Sequence, residues 1–370
     1  MRVTADPVVR RRRRALGALA AAALLVGAAL GAASGGGGQG AAKPPDLAPS
    51  RAVVAAVDRL TPLQRAGQLV VLRFAGTTAP AYVRRALRER RAAGVILFAD
   101  NIASPAQLRA LTAQLQRAAH GRALISVDQE GGVVKRVPWA APHVAQPQLR
   151  TAAAARAEAR RAGRDLRATG VNVSYAPVAD VATTPVMRAR AFPGGAAAVA
   201  ALTAASVQGY RRTGVAPAAK HFPGLGAATA NTDFAGASAR ADARPFLAAV
   251  RVGVPLIMVS HALYPALDRT RIASQSRAIL TTLLRRRMGF KGVVVTDSLE
   301  AKAVVRRSPT PVAAVRSIRA GADLALTTGR GSYLPVLRAV LAKSRRSRPF
   351  RARVRESAAR VLALQSRLAG

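Results

Sequence analysis

The sequence predicts an α/β fold, a single (β/α)8 barrel of the TIM type, and three observations carry that prediction. Eight short apolar, β-branched runs recur along the chain, separated by Ala/Leu/Arg-rich stretches of helical character. Most of the eight are continuously apolar rather than alternating, the pattern of parallel strands covered on both faces. No Gly-x-Gly-x-x-Gly follows the first of them, which weighs against a doubly wound dinucleotide sheet, the runner-up architecture.

In chain order, strands are expected at residues 68–74, 94–98, 123–128, 171–178, 215–222, 255–261, 292–299 and 322–328. The second is the run Gly94-Val-Ile-Leu-Phe98, and the seventh holds Val293-Val-Val-Thr-Asp297. Helical patterns fill the intervals at 81–92, 105–119, 148–168, 196–213, 241–252, 278–288 and 310–320, and a last helix at 353–368 closes the chain. Ahead of the barrel, Arg10 to Arg14 form a charged region, and an uncharged run of 19 residues, Ala15 to Ala33, follows it. Small residues at Ala32, Ala33 and Ser34 and a glycine-rich stretch complete the layout of an export signal. The run is Ala-rich and only mildly hydrophobic, which favours cleavage over an uncleaved membrane anchor. The expected organisation is therefore a signal or anchor over 1–41, a linker over 42–54 and a barrel over 55–370.

The chain has 370 residues, 50% of them hydrophobic and none of them cysteine. That supports a large core and excludes disulfides, thiolate metal sites and cysteine nucleophiles. The formal charge is +41, of which Arg2, Arg10 to Arg14 and Asp6 contribute a net +5, so the body carries +36. Only six of the 58 basic residues are lysines. The arginines are scattered over the predicted helices and do not form one stripe interleaved with aromatics, so no specific nucleic-acid groove is expected. A compositional bias explains most of the excess. The functional reading is electrostatic association with anionic envelope polymers, and membrane contact is expected only through the N-terminal segment if it is uncleaved.

With 17 acidic residues, the candidates for acid/base work can nearly be enumerated. Glu89, Glu158, Asp165, Glu300 and Glu356 fall on helices or helix starts and read as solvated or ion-paired. Asp100, Asp128, Glu130, Asp180, Asp233, Asp297 and Asp323 lie at or just beyond strand ends, where a barrel of this kind keeps its chemistry. One such residue alone reads as a cap or a loop salt bridge; the set reads as an active rim. In Asp128-Gln129-Glu130-Gly131-Gly132, glycines admit a ligand close to the backbone while the polar side chains offer hydrogen bonds to vicinal hydroxyls. Arg136 and Arg190 add charge-assisted donors, whereas Asn172 and Asp180 read as loop-fixing residues.

His120 and His143 read as surface residues; His221 and His261 both end strands. No metal is expected, because no His-Glu-x-x-His spacing occurs and Lys220 would repel a cation beside His221. A Ser–His–Asp hydrolase is equally disfavoured, with no Gly-x-Ser-x-Gly elbow and with Ser260 and His261 adjacent on one strand.

Read in order, these segments resemble the catalytic barrel of glycoside hydrolase family 3, in particular its single-domain β-N-acetylhexosaminidases. The resemblance rests on Gly94-Val-Ile-Leu-Phe98, Val127-Asp-Gln-Glu-Gly-Gly132, Asn172-x-x-Tyr-Ala-Pro-Val178 and Lys220-His-Phe-Pro-Gly224. It continues through Met258-Val-Ser-His261, Tyr264-Pro-Ala-Leu-Asp268 and Val295-Thr-Asp-Ser298. It spans about residues 55 to 365, and the second domain that many relatives carry is not expected. What it implies is a retaining glycosidase without a cofactor, with Asp297 as nucleophile and Asp128, Arg136, Arg190, Lys220 and His221 as contacts to the sugar. The implied substrate is a cell-wall or chitin-type oligosaccharide, and the implied location is outside the cell or in its envelope.

One departure bears on the chemistry. The hexosaminidase subgroup follows Lys-His-Phe-Pro-Gly with a second His and then an Asp-Ser-His dyad, whose His is the general acid/base. Leu225 and Asn231-Thr232-Asp233 stand there instead. Three readings stay open: Asp233 is the acid/base, the acid comes from elsewhere, or the barrel binds carbohydrate without turning it over. Within the same family, β-glucosidase or β-xylosidase activity is the alternative specificity.

Overall fold

The structure is a computed structural model that describes residues 45–369. The expected signal segment, 1–41, lies outside the described residues. Eight parallel strands form the barrel: β1 Val70–Arg73, β2 Gly94–Leu97, β3 Leu124–Val127, β4 Val173–Ser174, β5 Ala216–Phe222, β6 Leu256–Val259, β7 Val293–Thr296 and β8 Ala325–Thr327. Each pairs with the next in sequence, β8 returns to β1, and a bridge between Val295 and Leu324 closes the ring between β7 and β8. All eight fall inside the runs expected from sequence. Gly94 is required at the start of β2, because a Cβ there would lie 1.9 Å from the carbonyl oxygen of Leu124 on β3.

The inner layer is filled by Val71, Ile96, Val173, Tyr175, Met258, Val295 and Leu326, all buried. Val361, Leu364 and Leu368 of the last helix join the same cluster and stop the floor of the barrel, where Gln365 Nε2 donates to the carbonyl of Ala93. A second shell of apolar residues, such as Leu108, Leu166, Val336 and Val354, lies between strands and helices. Among the described residues, no helix is long and apolar enough to cross a membrane.

Differences from the expectation concentrate in the helices. The linker ends early, since Ser50 caps a helix over Arg51–Asp58 by accepting from the N–H of Val53. A second short helix, Pro62–Gly67, opens on a reciprocal Thr61/Gln64 capping box. The stretch expected at 148–168 becomes helical only from Ala152, after the Thr151 cap, and 278–288 winds as a π-helix over Ala278–Arg287. The helix Tyr333–Arg346 is additional to the expected pattern; Pro335 falls in its first turn, where a missing N–H costs nothing. The last helix is longer than expected, Arg348–Ala369.

Asp323 corrects the sequence reading. It precedes β8 instead of ending it, so it sits at the floor of the barrel, fully buried and away from the rim where the strands end. Its carboxylate is ion-paired to Arg285, to Arg353 (2.7 Å) and to Arg360 (3.3 Å). Burial alone would raise its pKa, but the three guanidinium groups hold it well below the usual carboxylate range.

Candidate active site

The opposite rim, beyond the C-terminal ends of the strands, surrounds a cavity of about 410 Å³. The seven residues expected to act on or hold a sugar all line it: Asp128, Arg136, Arg190, Lys220, His221, Asp233 and Asp297. Of the other acids expected at the rim, Glu130 lines it too, whereas Asp180 lies behind His221 and Asp100 pairs with Arg73 at 3.2 Å outside it. Asp128 directly follows β3 and Asp297 directly follows β7, so both carboxylates are delivered by the strand ends themselves. Lys220 and His221 are consecutive on β5, yet both face the cavity. The pairing of β5 with β6 shifts register between Ala219 and Phe222, and such a bulge re-aims side chains.

Lys220 is almost wholly buried, with its Nζ 2.6 Å from both Asp128 Oδ1 and Glu130 Oε1. Arg190 completes this group through a bidentate pair with Glu130, at 2.8 and 2.7 Å. Burial would push the Glu130 carboxyl up, but Lys220 and Arg190 hold it down at about 2. Burial likewise opposes the charge on Lys220, and Asp128 and Glu130 outweigh it, so its pKa is raised.

His221 is fixed by Asp180. That buried carboxylate takes the imidazole Nδ1 at 2.8 Å and the backbone N–H groups of His221 and Leu225 at 3.2 and 2.6 Å. The ring therefore turns its Nε2 towards Arg190, at 3.4 Å, and towards Asp297 Oδ2, at 3.9 Å. Asp297 is half-buried, and its Oδ1 accepts from the N–H of Ser298 at 2.7 Å. Burial would raise its pKa; His221, His261 and Lys220, in that order, lower it on balance.

Asp233 sits at the exposed mouth on the loop after β5. Partial loss of hydration and then the charge of Asp297 raise its pKa, against the opposing pull of His221 and Arg190. The loop is pinned from both sides. Gly226 packs so closely that a Cβ would lie 1.9 Å from the carbonyl oxygen of Val181, and the carbonyls of Thr232 and Asp233 each accept, at 3.1 Å, from Ala303 and Lys302. The Asn231 side chain accepts from the backbone N–H of Asp233 at 2.9 Å, so it shapes the turn.

Arg136 stacks on Phe98, 5.4 Å from the ring centroid, and its buried Nε lacks a protein partner. Phe234, 71% exposed, stands beside Asp233 at the cavity mouth.

Two sequence readings of this rim are corrected. Gln129 and Glu130 are not free to hold hydroxyls: the Gln129 amide donates to the carbonyls of Val137, Ala140 and Ala141, and Glu130 is saturated by its two cations. Glu300 is neither solvated nor ion-paired; its Oε2 accepts from the Thr328 N–H at 2.8 Å and hydroxyl at 3.1 Å. His261 has a place that its sequence context does not reveal. It is buried behind Asp297, bonded to the Ser298 carbonyl at 2.9 Å and the Ser274 hydroxyl at 2.8 Å, and burial lowers its pKa. Its position at the end of β6, next to β7, was the available signal. His120 and His143 are exposed, as expected.

One cavity thus brings together a carboxyl held ionised, a second carboxyl pushed towards neutrality, and a preorganised group of donors and acceptors. Separated carboxyl pKa values of this kind are what acid/base cleavage of an acetal needs.

The sequence matches the glycosyl hydrolase family 3 N-terminal domain over residues 63–364. An uncharacterized secreted glycosyl hydrolase of Arthroderma benhamiae is 33% identical over 329 residues, which cover 82% of this chain and 93% of that protein. A beta-hexosaminidase of Xanthomonas axonopodis pv. citri is 34% identical over 251 residues, 62% of this chain and 75% of that one. Among solved structures, a family 3 beta-N-acetylglucosaminidase from Paenibacillus sp. matches with a TM-score of 0.79 and 35% identity, covering 84% of this chain. This chain spans 63% of that structure's length. A match that runs from the first turns of the described structure into its last helix, over the expected barrel, shows that the chain belongs to glycosyl hydrolase family 3.

Proposed function

We propose that this barrel is an exported, retaining β-N-acetylhexosaminidase that removes terminal N-acetylglucosamine from cell-wall or chitin-type oligosaccharides. The single observation that carries the reading is the setting of Asp297: an ionised carboxylate at a strand end, facing His221 across the same cavity that holds Lys220, Asp128 and Arg190. The hexosaminidase names of the relatives support the sugar, and the secreted relative supports export.

In the proposed reaction, Asp128, Lys220, Arg190, His221 and Arg136 hold the terminal sugar by its hydroxyls, and the unpartnered Arg136 Nε supplies one donor. An Asp297 oxygen attacks the anomeric carbon as the glycosidic C–O bond breaks, and the leaving oxygen takes a proton from Asp233. The ionised Asp233 then accepts a proton from water, whose oxygen attacks the same carbon, and the Asp297 ester bond breaks. Phe234 offers its exposed face to the leaving group.

A panel of 4-nitrophenyl β-glycosides with and without the 2-acetamido group tests this. Expected are preferential turnover of the N-acetylglucosaminide and a loss of at least about 10³-fold in Asp297→Ala with sugar binding retained. Preference for the glucoside or xyloside would replace the proposed specificity. Sugar binding without turnover by the unaltered protein favours the binding barrel, a reading motivated by Asn231 and Asp233 in place of the usual dyad.

A further inference from the structure

Away from the catalytic cavity, two open clefts flank the helix Thr310–Ala320 and share its Arg316 and Arg319. One, of about 540 Å³, adds Arg271 from the segment after β6 and Arg307 from the turn before the helix. The other, of about 520 Å³, lies against Tyr333–Arg346 and adds Lys343 and Arg346. Six cationic side chains therefore line one continuous surface, and among the described residues no carboxylate lines either cleft. Among the described residues, none of the six takes part in an ion pair. Asp268, the acid nearest in sequence to Arg271, has both oxygens taken by Thr270, the Arg271 N–H and Ser276.

Two bland explanations fall short. Helix dipoles account for Arg319, Lys343 and Arg346, which lie in last turns, but give Arg271 and Arg307 no reason to converge on them. A merely arginine-rich surface would interleave whatever acids it has, as happens where Arg355 meets Asp58 and Arg244 meets Asp242. Gln275 adds an independent sign. It lines the first cleft, is only 8% exposed, and its Nε2 lacks a protein acceptor.

The geometry points to a second binding site on this chain: the paired clefts around Thr310–Ala320 hold a linear, phosphate-bearing polyanion. The two clefts share Arg316 and Arg319, so one chain can engage both at once. Each phosphate bound relieves repulsion among like charges and releases counterions. Among the described residues neither cleft presents an aromatic face to stack a base, which favours a polymer without bases over a nucleic acid. No lining residue is shared with the catalytic cavity, and the site does not depend on the glycosidase reading.

The test uses the full chain, with long-chain inorganic polyphosphate as the probe and affinity followed against salt. Arg271→Gln/Arg316→Gln/Arg319→Gln is compared with Arg109→Gln/Arg117→Gln/Arg160→Gln, an equal charge loss at exposed arginines that line neither cleft. The cleft variant is expected to bind at least 10-fold more weakly, and its log K against log salt slope to fall by about two to three. The control is expected to lose less than about 3-fold affinity and less than one unit of slope. Equal losses in the two variants overturn the proposal. So does an oligonucleotide of matched charge that binds 10-fold more tightly than polyphosphate, or orthophosphate that binds as tightly as the polymer.

Discussion

Asp297 and Asp233 start from the same intrinsic acidity and are pushed in opposite directions by their surroundings. Two imidazoles and a buried ammonium lower the first, while lost hydration and the first carboxylate raise the second. The pH dependence of kcat/KM is therefore expected to be bell-shaped. Activity falls on the acid side as Asp297 gains a proton below the ordinary Asp range, and on the alkaline side as Asp233 loses its proton above that range. Asp233→Asn should remove the alkaline limb and slow substrates with poor leaving groups by about 10²–10⁴-fold, while activated aryl glycosides suffer less. A profile across both substrate types checks this, and an unchanged alkaline limb would move the acid role elsewhere. At this scale much of the site was legible, because Asp128 and Asp297 directly follow apolar runs. What was not legible is the saturation of Glu130 and the placement of His261 behind Asp297. Both depend on which strands are neighbours across a closed ring, a fact carried by no local segment.

At the scale of elements, the strands declared themselves because two-sided burial demands continuous apolar runs. The helices blurred at their ends, where capping residues such as Thr151 and turns such as Gln146–Gln148 decide the boundary. Asp323 shows how a small shift changes a meaning: a carboxylate before a strand is at the floor, and one after it is at the rim. There it ties the last helix, through Arg353 and Arg360, and the π-helix, through Arg285, to the start of β8. Asp323→Ala would leave three arginines around an uncompensated, buried gap, and should cost roughly 3–5 kcal/mol of stability. Urea denaturation measures it. A loss below about 1 kcal/mol, the scale of an exposed ion pair, would show that the cluster contributes little.

For the whole molecule, charge is the dominant property. Inside, cations are matched: Lys220 and Arg190 enclose Glu130, and this group joins β5, the hairpin after β3 and the segment around Arg190. The Glu130 pKa is depressed from its ordinary 4.5 to about 2 in the folded state. The resulting stability is fully present above pH 4.5 and is lost as pH falls towards 2, a contribution on the order of 3 kcal/mol. Acid unfolding should accordingly steepen within that window and flatten in Glu130→Gln; no change in slope between the two would contradict the assignment. Outside, the arginines that looked scattered along the sequence are partly gathered, around Thr310–Ala320, into a surface that no acid of the described residues lines.

The sequence by itself determined the barrel, the strand ends at which Asp128 and Asp297 stand, and the family that the chain resembles. These are properties of local pattern: two-sided burial writes an apolar run, and the residue that ends it points to the rim. Only the tertiary structure decided which carboxyls are free, which are neutralised, and which end of the barrel Asp323 occupies. It also decided where unpaired arginines converge, because long-range charge neighbours are set by ring closure and helix packing and leave no mark in the spacing of residues along the chain.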